Sequence, residues 1–374
     1  MKKSLLKNNG VQSLIASLLC IVLGMLIGYI VLLFINPTGA GEAIATVMKN
    51  FLTYSRADTQ LKYLGNTLVK TAPLLMCALS ILFAYKVGLF NIGASGQYTA
   101  GACAALYAAL QWHWSWLPCM LLAIAAGCVM GAIVGLLKAY CNVNEVISGI
   151  MLNWIMLYTA NMILANVKEP TSPYTIQMRS FGSAAVLPTL GLDKLFNDNT
   201  YVTLAIPLAI ILAIVVDVVL NKTRFGYELR ACGLNKNAAE YAGIADKRNI
   251  VLSMTIAGAL AGLGAGLFYL SGSKEWEPLV STNLPAAGFN GISVALLASS
   301  NPIGCIFSAI FVAHITVGGS YMNASLFPSE VADIISGVVI YLCAFALLFK
   351  SGILKTFFSG KKQKPAESGK EAEA

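Results

Sequence analysis

Residues 221–249, NKTRFGYELRACGLNKNAAEYAGIADKRN, form a long polar island in a chain that otherwise reads as a row of apolar segments. Six basic residues (Lys222, Arg224, Arg230, Lys236, Lys247, Arg248) stand against three acidic ones (Glu228, Glu240, Asp246), and the bias of Lys and Arg toward cytoplasmic loops puts the island inside the cell. Its pattern is that of a folded element. Asn237 is expected to cap a short helix, Glu240 to reach back toward that cap, and Gly243 to supply the left-handed stop. Gly226 and Gly233 flank this helix. A helix of little more than one turn does not hold by itself in water, so the island needs a partner surface. On spacing alone, an ordinary solvated loop fits the same residues.

Over the whole chain, 57% of the 374 residues are hydrophobic, 11% are charged, and the mean hydropathy is +0.72. These values exclude a soluble globular surface and define an all-α membrane protein. About ten spans are expected: 11–35, 64–85, 92–110, 117–137, 146–166, 201–220, 250–270, 289–299, 303–317 and 331–349. Of the 25 basic residues, 17 fall on segments that this topology puts inside, with both termini cytoplasmic. The net charge of +8 therefore reads as orientation toward anionic lipid, not as a nucleic-acid surface. Residues 1–360 form one transmembrane domain, 36–62 and 167–200 are external loops, and 361–374 is a charged tail expected to be disordered. The nine cysteines are scattered singly, without a disulfide or zinc pattern.

Two spans carry a Phe-Asn pair beside glycines: Phe90-Asn91 at the third and Phe289-Asn290 at the eighth. Both are expected to be broken there, as in an inverted repeat of spans two to five on seven to ten, and paired interruptions mark the route through a transporter. Polar side chains in hydrocarbon must face other helices or water. Phe90, Asn91, Gln97, Asn153, Phe289, Asn290 and Ser293 are accordingly candidates for a weakly polar translocation path, with plain interhelical hydrogen bonding as the competing role. His314, far from any carboxylate in sequence, is expected to be packed and hydrogen-bonded. Two ladders of four-residue spacing, Gly127-Gly131-Gly135 and Gly258-Gly262-Gly266, permit close helix approach.

The island followed by AGALAGLGAG resembles the cytoplasmic coupling loop of permease subunits in ABC importers of simple sugars, branched-chain amino acids and nucleosides. FNIGASGQ, NEVISGIMLNWI and GFNGISVALLASSNPIG are similar to further signatures of that family, in its order, so the resemblance runs from Phe90 to Gly304. Ser95 departs from it, at a position often acidic there. The resemblance implies that Arg224, Gly226, Arg230, Gly233, Asn235, Ala238, Ala239, Tyr241, Gly243 and Ile244 meet a separate ATPase subunit. It also implies a second, paralogous permease, an extracytoplasmic substrate-binding protein or lipoprotein, and a bacterial inner-membrane location. The length and the extended first external loop resemble the longer permease of purine-nucleoside importers, with sugar or branched-chain amino acid as the next substrates.

No HExxH, GxSxG or GxxxxGK[ST] occurs, which argues against an enzyme and puts ATP and its magnesium on the partner chain. No cofactor is expected on this one. An ion-coupled secondary transporter would call for ionisable residues at mid-membrane, and the spans are nearly free of them.

Overall fold

The computed structural model describes residues 9–342 apart from 182, 324, 328–330, 332–333, 336 and 339–340. The amino-terminal lysines, the basic segment from Lys350 and the 361–374 tail fall outside the described residues. Among those described there is no strand, only an isolated bridge between Lys168 and Thr175. The helices are α1 Asn9–Ile35, α2 Ala40–Lys49, α3 Ala57–Tyr85, α4 Ala94–Leu110, α5 Trp116–Cys141, α6 Glu145–Leu164, α7 Met178–Phe181, α8 Leu192–Leu195, α9 Ala205–Lys222, α10 Arg224–Leu234, α11 Lys236–Tyr241, α12 Asp246–Tyr269, α13 Ala286–Leu297 and α14 Pro302–Gly319.

Six of these (α3, α5, α6, α9, α12 and α14, with α6 extended to Val167) are long and apolar enough to cross a membrane. α4 and α13 are shorter. α13, at 12 residues, rises only about 18 Å and so reaches little more than halfway through hydrocarbon.

α12 is the hub, packed against α3, α4 and α5. The two glycine ladders meet there. A Cβ on Gly127 would run into the Gly258 carbonyl oxygen, one on Gly131 into that of Met254, and one on Gly262 into that of Ala123. α5 and α12 thus touch backbone to backbone, which only residues without side chains allow. Gly101 brings α4 against the same seam at Gly262.

The external segment expected at 36–62 is more structured than a loop. It holds α2 and the first turns of α3, which starts seven residues before the expected Leu64. α2 buries Ala40, Ala43 and Val47, with Val47 pressed on Gly318 of α14. His314 is packed there as expected, a ring nitrogen 2.9 Å from the Met48 carbonyl oxygen and Phe51 edge-on at 6.0 Å. The 167–200 segment carries α7 and α8 and lies across the bundle. Asn199 Nδ2 donates to the Lys62 carbonyl at 2.8 Å, and Arg179 donates to Thr200 and Ser271 carbonyls at 3.0 Å each.

The interruptions also differ from expectation. Phe90-Asn91 does lie in a non-helical stretch, 86–93, ahead of α4. Phe289-Asn290 instead sits inside α13, and the break comes after that helix, at 298–301, where Ser299 and Ser300 take left-handed backbone (φ 51° and 54°). The two breaks meet: Lys86 Nζ donates to the Ser300 carbonyl at 3.0 Å. Burial, with the nearby Arg230 charge second, holds the Lys86 amine below the ordinary lysine value.

Candidate functional site

The island folds as two helices, not one. Thr223 caps α10, its Oγ1 accepting from Gly226 N at 3.2 Å, so Gly226 and Gly233 lie within α10 instead of flanking a lone helix. Glycine at both places is steric. A Cβ on Gly226 would strike the Val219 and Leu220 carbonyls of α9, and one on Gly233 the Lys86 carbonyl ahead of α4. Arg224 Nε donates to Glu228 at 2.9 Å on the exposed side, and Arg230 Nε to the Gly226 carbonyl at 3.3 Å.

α11 is capped by Asn235, not by Asn237: Asn235 Oδ1 accepts from Ala238 N at 3.0 Å, while Asn237 lies inside the helix. Gly243 supplies the stop at φ +78°, and Ile244 N closes back on the Ala239 carbonyl at 3.0 Å. Two further contacts hold a helix too short to stand alone. Ala239 is buried and Lys236 Nζ lies 3.1 Å from Asp246 Oδ2 at the start of α12, while the preceding α10 is seated by Phe225 on Phe83, ring centroids 6.3 Å apart. The opposite side is bare. Tyr241 is 94% exposed and Leu234 89%, a pair of large apolar side chains on a charged surface.

At the break ahead of α4, the polar candidates from the sequence bond to one another. Asn91 Nδ2 donates to Ser80 Oγ (3.0 Å) and Gln97 Oε1 (2.8 Å), and Gln97 Nε2 returns a bond to Asn91 Oδ1 at 3.1 Å. Asn153 of α6 accepts from Gly96 N at 2.7 Å and donates to the Ile92 carbonyl at 3.0 Å. It thereby serves as a cap from a neighbouring helix for first-turn N–H groups that α4 cannot satisfy itself. Ser95 Oγ donates to the Pro285 carbonyl at 2.8 Å, and Gly288 of α13 rests on Ser95. The amides of Asn91, Gln97 and Asn153 are all engaged within the chain. Ser293 is buried, and Phe90 half-buried.

Asn290 stands apart from this cluster. It lines a cavity of about 500 Å³ bordered by α3, α4, the end of α12, the 274–285 segment, the start of α13 and α14. Tyr98, Tyr269 and Trp276 follow one another along its wall, nearly buried, with ring centroids 6.2 Å and 5.8 Å apart in turn and the rings tilted by 56° and 55°. The 274–285 segment is fixed in place: Trp276 Nε1 donates to Asn161 Oδ1 at 2.8 Å, and Asn161 Nδ2 to the Ser281 carbonyl at 2.7 Å. Nothing in the sequence pattern marks this wall, because Tyr98, Tyr269 and Trp276 come from three separate segments. Among the described residues, no group of His, Cys, Asp and Glu could hold a metal.

Residues 63–344 match the family described as branched-chain amino acid transport system / permease component. The chain belongs to that family. This permease is 33% identical over 353 residues to the nucleoside ABC transporter permease protein NupB of Lactococcus lactis, covering 92% of this chain and 94% of that protein. It is 33% identical over 349 residues to the guanosine ABC transporter permease protein NupP of Bacillus subtilis, covering 91% and 97%. A second Bacillus subtilis protein, guanosine ABC transporter permease protein NupQ, matches at 26% over 255 residues, 66% of this chain and 77% of that one. No solved structure matches significantly. The permease is a multi-pass protein of the inner membrane, and its relatives are transport subunits rather than enzymes.

Proposed function

We propose that this chain is a transmembrane subunit of an ABC importer for nucleosides, driven through residues 221–249 by a separate ATPase subunit that carries the ATP and magnesium. The observation that carries the coupling role is the exposure of Tyr241 and Leu234 beside a short helix braced from beneath. Large apolar groups on a charged surface mark a protein interface, and truncating an aromatic anchor there typically removes most of the affinity. The nucleoside assignment is supported by likeness to NupB and NupP over nearly the whole chain. Likeness to NupQ as well, at lower identity, supports a heterodimer with a second permease.

In this reading the bundle crosses the membrane about ten times, with α4 and α13 in the third and eighth, broken spans of an inverted repeat, and 221–249 faces the cytoplasm. A substrate-binding protein or lipoprotein docks on the opposite side, over α2 and 167–200. Closure of two ATPase subunits on two such islands switches the access of the path between the permeases.

The test is co-purification with the cognate ATPase and ATP-dependent guanosine uptake in proteoliposomes. Tyr241→Ala with Leu234→Ala should cut ATPase-subunit association by about tenfold or more and abolish uptake, while the permease melts as before. Unchanged uptake, or uptake driven by a proton or sodium gradient without ATP, would overturn the proposal.

A further inference from the structure

The cavity at the end of α12 has the composition of a ligand site, and it lies inside one chain. From Asp246 to Tyr269, α12 rises roughly 36 Å, which sets the cavity a membrane's thickness away from the island. Its volume of about 500 Å³ lies in the range that holds a small organic molecule.

Tyr98 and Tyr269 are 2% and 5% exposed, yet neither phenol hydroxyl hydrogen-bonds to any described residue, and both residues line the cavity. The Asn290 carboxamide likewise has no described partner, in contrast to Asn91, Asn153 and Asn161, whose amides are engaged. Asn290 is half-buried, and its amide and the two phenol hydroxyls are open to the same cavity, where they can pair with a polar guest. The Glu277 carboxylate adds an acceptor to the same lining.

We propose that this cavity is a nucleoside subsite within a single permease chain, the base edge read by Asn290 beside the Tyr98 and Tyr269 hydroxyls, and the ribose diol taken by Glu277. The chemistry is general. An Asn amide pairs donor and acceptor with a purine edge, and a carboxylate accepts from ribose hydroxyls. A hexose presents hydroxyls all round, whereas a nucleoside joins a base edge of donors and acceptors to a diol, matching an amide and a carboxylate on one lining.

This proposal rests on the nucleoside reading, and two arms keep the two apart. In the first, the assembled transporter in nanodiscs, without binding protein, is photolabelled with 8-azidoguanosine. Label should map to the Tyr269–Trp276 region and be displaced by guanosine but not by glucose. In the second, guanosine-loaded binding protein is tested for stimulation of ATP hydrolysis.

If stimulation occurs but the label lies elsewhere, nucleoside import stands and the subsite is overturned. If the cavity is labelled without stimulation, the subsite stands and the importer reading fails. Among variants, Asn290→Ala should raise the uptake KM for guanosine about tenfold and change the ranking of guanosine against adenosine. Glu277→Gln should erase the preference for guanosine over 2′,3′-dideoxyguanosine. Variants that slow every substrate in proportion, leaving the ranking intact, would reduce these residues to a structural role and overturn the subsite.

Discussion

Replacing Gly258 by alanine should separate α5 from α12. An ideal Cβ at Gly258 would lie 3.0 Å from the Gly127 carbonyl carbon and 3.0 Å from Gly131 Cα, and closer still to the Gly127 oxygen. Carbon contacts settle near 3.5–4.0 Å, so the methyl lacks roughly 0.5–1 Å of room. The obstructing atoms are backbone. No rotamer change relieves them, and the whole of α5 must shift.

Overpacking of this kind costs about 1–3 kcal/mol, and rigid neighbours set it near the top, while the better helix propensity of alanine returns up to about 1. The net expectation is a loss of about 2 kcal/mol. Gly41 is the internal control. A Cβ there meets nothing within 4 Å, so Gly41→Ala should gain about 0.5–1 kcal/mol. Thermal unfolding of the detergent-purified chain, followed by tryptophan fluorescence, reads both. A Gly258→Ala variant melting at or above wild type would refute the seam as a close-packed contact, and so would equal shifts at the two sites.

Two further outcomes follow from the hydrogen bonds. Asn153→Ala strips partners from Gly96 N–H and the Ile92 carbonyl and should destabilise the break ahead of α4 by about 2–4 kcal/mol, seen as faster amide exchange across residues 90–97. Asp246→Asn removes the ion pair to Lys236, whose side chain is 55% exposed, so stability should fall by no more than about 1 kcal/mol. Exchange across 236–243 should nevertheless quicken and ATPase-subunit binding weaken, and the wild type in high salt should move the same way.

The membrane character and the order of apolar segments are plain in the sequence because hydrocarbon demands long runs of one chemistry. The polar signal that marks 221–249 is plain for the same reason. Details set by tertiary contact were not legible. Asn235 and Asn237 are two residues apart and equally able to cap. What selects Asn235 is that α10 runs on to Leu234, so the chain must leave one helix and enter the next at that residue.

The break after α13 was misplaced because Ser299 and Ser300 take positive φ without the glycine that usually announces it. α2 was hidden because its buried side is only Ala40, Ala43 and Val47, too small a stripe to stand out from a polar stretch. The ladders were visible as spacing, but that they face each other is a property of the fold alone. Likewise, the sequence singles out Asn91, Gln97, Asn153 and Asn290 alike, and only the fold separates three amides that brace a break from one that lines a cavity.

The junction of Gly233 with the Lys86–Gly88 turn has a mechanical consequence. Side chains swing aside under load, whereas peptide units in direct abutment barely compress. If α11 is driven as proposed, a thrust on it would pass through α10 to that turn and on toward the Asn91–Gln97 lattice. α4 would then feel that stroke directly, with little play in the linkage.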